Sequence, residues 1–149
     1  MRITSTDGKA WVEITPGKNA LSFNIECMVN DEQNTFHGKN ADLYLQNIDE
    51  FATDLDKFIL DRNLRPQLAG VYGPCLEFYR SKTNATAVMV RFIVVDDSSA
   101  YSENVEFKTT GAFEINGEFL NDYVTGFKEL AKTRHLLRSR LAASALRRE

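Results

Sequence analysis

A chain of 149 residues with 43% hydrophobic and 26% charged side chains has the make-up of one globular domain, long enough for a substantial core and too short for two. The formal net charge is only −3, but the last sixteen residues, RHLLRSRLAASALRRE, hold five arginines and one glutamate, so residues 1–133 carry thirteen basic against twenty acidic side chains. A body of that sign repels phosphate backbones, which argues against a general nucleic-acid binder, and no run of about eighteen apolar residues is present to span a bilayer.

The opening stretch, MRITSTDGKAWVEI, has no apolar block of the secretory kind, so a cytoplasmic location is expected, with Cys27 and Cys75 as buried free thiols. RITST and AWVEIT read as short strands joined by the turn Asp7-Gly8. ALSFNIECMV alternates, with Leu21, Phe23, Ile25, Cys27 and Val29 on one side and Ser22, Asn24 and Glu26 on the other: a strand with one covered face. QNTFHGKNADLYLQ continues the meander, Leu43 and Leu45 pointing together.

The period then changes from two to that of a helix. Ile48, Phe51, Leu55, Phe58 and Ile59 form one stripe, Asn47 is placed as its N-cap, and Glu50 three residues on completes a capping-box pattern. The helix is expected to end before Arg65-Pro66, because proline disfavours helical dihedrals in the residue before it. QLAGVY and CLEFYR resume as strands separated by Gly73-Pro74. ATAVMVRFIVV is apolar on both parities and reads as a central strand, broken at Asp96-Asp97-Ser98-Ser99. ENVEFKTTGAFEI alternates again, with Val105, Phe107, Phe113 and Ile115 inward.

Asn116 then opens a second helix whose stripe is Phe119, Leu120, Tyr123, Val124, Phe127 and Leu130. Each half of the chain is thus a run of strands followed by an Asn-started amphipathic helix. The predicted fold class is α+β: an antiparallel meander of about six to eight strands packed by two amphipathic helices. Residues 1–133 make the domain, and residues 134–149 a basic C-terminal helical extension or flexible tail. Leu130, Leu137 and Leu141 keep one face, and arginines gather at the last turns, where they suit the negative end of the helix dipole. Such an extension is expected to pack on its own body or on a second copy, giving a possible homodimer through the C-terminal helix.

No catalytic, cofactor or metal site is predicted. His37 and His135 have no partner at metal-ligand spacing, and there is no GxGxxG, GxxxxGK[ST] or GxSxG segment. His37 reads as a turn or strand-edge residue. Arg91 is the one charge inside an otherwise apolar strand, expected to pair with a carboxylate such as Glu77 on a neighbouring strand or to face water at an edge.

Several anchors carry a family likeness: ThrPheHisGly at 35–38, the helix opening Asn47–Phe58 with Phe51 and Leu55 in D/N-x-x-x-F-x-x-x-L, and Leu68-Ala69-Gly70-Val71 followed by Leu76. With the order of elements, these resemble the WapI-type immunity proteins and the small bacterial proteins grouped near them, over roughly residues 2–132. The chain departs from that pattern at ThrAsnAlaThr, 83–86, and in its arginine-rich tail. The resemblance implies a non-catalytic, toxin-neutralising protein that acts by binding, its partner a basic toxin domain steered by acidic charge. The candidate partner-binding residues are the carboxylates of the connection after the central strand: Asp96, Asp97, Glu103 and Glu106. The alternative reading is a small-molecule-binding module or unrecognised enzyme with a pocket between the helices and the sheet, a reading that Arg91 lining an enclosed pocket would favour.

Overall fold

The computed structural model describes residues 1–19, 21–96 and 107–147. Among these residues eight strands and two helices occur in the expected α+β order: β1 (Arg2–Thr4), β2 (Ala10–Pro16), β3 (Phe23–Asn30), β4 (Thr35–Leu43), α1 (Ile48–Leu60), β5 (Gln67–Gly70), β6 (Gly73–Arg80), β7 (Ala87–Val95), β8 (Lys108–Asn116), a 3₁₀ turn (Gly117–Phe119) and α2 (Leu120–Leu146). The meander divides into two sheets, β1-β2-β3-β4 and β5-β6-β7-β8, and within each every strand pairs antiparallel with its sequence neighbour. Each half of the chain is therefore a four-stranded sheet followed by a helix.

Alternation puts one face of each sheet into a common core. Val12, Ile14, Phe23, Ile25 and Cys27 come from the first sheet, and Leu76, Phe78, Val88, Val90, Phe92 and Val94 from the second. On β7 the even-numbered parity is wholly buried, whereas Met89, Ile93 and Val95 are half-buried and Arg91 is exposed. The helices close the core through aromatic contacts: Phe51 of α1 meets Phe127 of α2 edge-on at 4.8 Å, and Phe78 of β6 lies 6.0 Å from Phe51. The two sheets are stitched where β4 approaches β7 and β8, with Asn40 Nδ2 donating to the Val95 carbonyl at 2.9 Å.

Four local expectations are corrected. Asn47 makes no side-chain cap on α1. Its Oδ1 instead accepts from the Ala69 N–H at 2.8 Å and its Nδ2 donates to the Gln67 carbonyl at 2.9 Å, clipping the helix start to β5. The β5–β6 turn falls at Val71-Tyr72, not at Gly73-Pro74: Gly70 pairs with Gly73, whose φ of 103° is open to glycine, and the Val71 N–H donates to the Tyr44 carbonyl. Leu21 precedes β3 and Phe107 precedes β8, so both are exposed despite their inward parity. Phe119 is 51% exposed, because it ends the 3₁₀ turn and is out of phase with the α2 stripe. Asn116 does cap, its Oδ1 accepting from the Glu118 N–H at 3.0 Å.

α2 runs unbroken through residue 134, so body and tail share one helix. Its stripe is buried at Leu120, Val124, Phe127 and Leu130, half-buried at Leu137 and exposed from residue 138 onward. No described helix is long and apolar enough to cross a membrane.

Candidate functional site

Of the four carboxylates expected to form a partner-binding patch, Asp97, Glu103 and Glu106 lie outside the described residues, as does Val105. Asp96 is half-buried at the end of β7, and its N–H donates to the Phe107 carbonyl at 2.9 Å, closing the connection onto β8.

The space between helices and second sheet is filled by the rings of Phe51, Phe78 and Phe127, all fully buried. A groove of about 660 Å³ lies elsewhere, on the surface between the β1–β2 turn, the β6–β7 turn and the 3₁₀ turn, with Thr6, Arg62, Asn84, Thr86, Asn116 and Glu118 around it. Arg91 does not line this groove. It stands on the outer face of the second sheet, opposite Glu77 in register as expected, but the Glu77 carboxylate pairs with Arg65.

The two cysteines are free and buried. Burial pushes the Cys27 thiol up to about 11 and the Cys75 thiol up to about 12 from an ordinary 9.0, which keeps the nucleophilic thiolate scarce. An aromatic disulfide reagent at pH 8 is therefore expected to find no rapidly reacting thiol in the folded protein and both after unfolding. The same shifts set a sign for stability. Below about pH 9 both states keep their protons; above it the unfolded thiols ionise first, so stability falls as pH rises towards 11 and 12. Urea midpoints measured from pH 8 to 11 should fall less steeply in a Cys75→Ala variant.

The strongest geometry for contact is the outer face of the first sheet, which alternation turns away from the core. Trp11 of β2, Met28 of β3 and His37 of β4 are direct cross-strand neighbours and form one row. The next row is Glu13, Glu26 and Lys39, with Arg2 of β1 opposite Glu13. The Arg2 guanidinium lies 4.1 Å from the centroid of the Trp11 ring while its Nε donates to Glu13 at 3.0 Å. His37 Nε2 and Glu26 Oε1 are 2.6 Å apart. These contacts fix long side chains in advance, and Trp, Met and Arg are types enriched in protein–protein interfaces. The sequence reads His37 as a turn or strand-edge residue, and it lies within β4, but the row itself is not legible there, since Trp11 and Met28 fall on the parity that alternation assigns to solvent. A tryptophan on that parity was the available signal.

Among the described residues no three of His, Cys, Asp or Glu gather as a metal-ligand set. No protein-family model, curated protein or solved structure matches the chain.

Proposed function

We propose that this protein works by contact, as a toxin-neutralising protein of the WapI-immunity kind, holding a basic toxin domain against the outer face of its first sheet. The observation that carries this reading is the row Trp11–Met28–His37 on a rigid antiparallel sheet, flanked by side chains already held by Arg2, Glu13 and Glu26. A stiff sheet with a fixed aromatic anchor loses little freedom on association, which is the economical way to bind without chemistry. The acidic body, with twenty carboxylates against thirteen basic side chains over residues 1–133, supplies long-range attraction for a basic partner, raising the association rate. Asp96, Asp97, Glu103 and Glu106 belong to this reading as steering charges.

The test is affinity purification of the full chain from its native host, followed by binding measurements on the recovered protein. One stoichiometric partner is expected. Trp11 is the only tryptophan, so its emission reports directly on burial of this face. Trp11→Ala should weaken binding by about 2 kcal/mol or more, some thirtyfold, chiefly through faster dissociation. Reversing Asp96, Asp97 and Glu103 to lysine should slow association and flatten its salt dependence. Unchanged affinity in Trp11→Ala would remove the first-sheet face, and recovery of no partner would remove the reading itself.

A further inference from the structure

The second sheet also turns one face outward, and its charges form an incomplete series. In register, Gln67 of β5 stands opposite Glu77 of β6, Glu77 opposite Arg91 of β7, and Arg91 opposite Ala112 of β8. The Glu77 carboxylate is already occupied: Arg65 donates to Oε1 through Nε at 2.9 Å and through Nη2, and Gln67 Nε2 reaches Oε2 at 3.4 Å. Arg91 is different. Among the described residues none of its donors meets an acceptor, and its guanidinium rests 5.3 Å from the centroid of the Tyr79 ring, against which Arg65 also lies at 5.0 Å. Beyond it Ala112 projects only a methyl group, so the fork opens to solvent. Glu114, one row away opposite Met89, makes no ion pair with it.

We infer that this face docks an otherwise uncharged segment of a protein partner, one carboxylate of which seats on Arg91. A planar fork held on an aromatic ring is pre-organised for two parallel hydrogen bonds to a carboxylate. The incoming group extends the alternation Arg65, Glu77, Arg91 by one further negative charge. Half-buried Tyr79, Met89 and Ile93 around the fork give apolar contact to the residues on either side of that carboxylate. Glu114 and the acidic body disfavour a denser anion such as a phosphate chain, so a single carboxylate in an otherwise uncharged stretch fits best. This inference is independent of the first-sheet face and stands whether or not the partner is a toxin.

The full chain, ¹⁵N-labelled, is titrated with the blocked peptide acetyl-Val-Glu-Val-amide, with its glutamine analogue, and with inorganic phosphate. Shift changes are expected to centre on Tyr79, Met89, Arg91 and Ala112. The glutamine peptide, and the Arg91→Gln variant, should each bind at least about fivefold more weakly. Arg140→Gln, which removes an exposed arginine of the distal part of α2, should bind the glutamate peptide normally. Arg91 is exposed, and an unchanged melting temperature would show that Arg91→Gln is folded. Equal binding of the glutamine peptide, tighter binding of phosphate, undiminished binding by folded Arg91→Gln, or shifts confined to the arginine-rich tail would each overturn the assignment.

Discussion

Replacing Phe127 by alanine is expected to remove about 3–5 kcal/mol of unfolding free energy. Phe127 is fully buried, meets Phe51 edge-on at 4.8 Å and lies 6.5 Å from Phe78, so one ring touches the other helix and the second sheet together. Truncation loses the transfer energy of the ring, leaves a hole bounded by two more rings that can only partly collapse, and forfeits about 0.5–1.5 kcal/mol of edge-to-face attraction. Against a typical total of about 5–15 kcal/mol this threatens the folded state itself. Urea unfolding followed by circular dichroism would show the midpoint fall. Phe119→Ala is the matched control: its ring is half exposed at the end of the 3₁₀ turn, and the change should stay within about 0.5 kcal/mol. A loss at Phe127 no larger than that of the control would mean the three rings do not join helices to sheet as described.

The contrast between those two phenylalanines marks what the sequence could convey. Periodicity reports which side of an element is covered, so the stripes of Ile48, Phe51, Leu55 and Phe58, and of Val88, Val90, Phe92 and Val94, were legible before any coordinates. It does not report where an element starts. Phe119 and Phe107 have the right spacing but sit outside the regular helix and strand, and both are exposed. Nor does it say which strands share a sheet. How the two sheets then join depends on long-range hydrogen bonds such as Asn40 to Val95, fifty-five positions apart, which leave no local pattern. Asn47 failed as a cap for the same kind of reason: the backbone groups of Gln67 and Ala69 offered its amide two partners that only the tertiary fold brings close. The candidate faces were least legible of all. Arg65 and Arg91 meet on Tyr79 through the register of β5, β6 and β7, including a bulge between Leu68 and Ala69, and a bulge cannot be read from alternation.

The second large effect is expected at Gly38, in the ThrPheHisGly segment at 35–38. Gly38 pairs with Cys27 in the first sheet and faces Thr109 of β8 in the second. A Cβ added there would stand 2.6 Å from Thr109 Oγ1, 2.8 Å from Thr109 Cβ and 3.2 Å from Cys27 Sγ, so the sheets would have to part. Gly38→Ala should cost about 1–3 kcal/mol, and valine more, because a packed interior yields through backbone shifts. Gly70, the glycine of the Leu68-Ala69-Gly70 segment, is also a close approach, with 2.6 Å to Leu43 Cδ1 and 3.3 Å to the Tyr44 carbonyl oxygen; the nearest obstacle there is the far end of a side chain, and Gly70→Ala should be milder. Both glycines thus lie where the end of the first sheet meets the second half of the chain, which gives each a packing reason to lack a side chain. A double-mutant cycle decides the point. Thr109→Gly removes the opposing Cβ, so in its background Gly38→Ala should lose most of its cost, a coupling of about 0.5–3 kcal/mol. Additive costs would show that the sheets do not touch at this pair, and the stitching of the two halves through β4 and β8 would have to be given up.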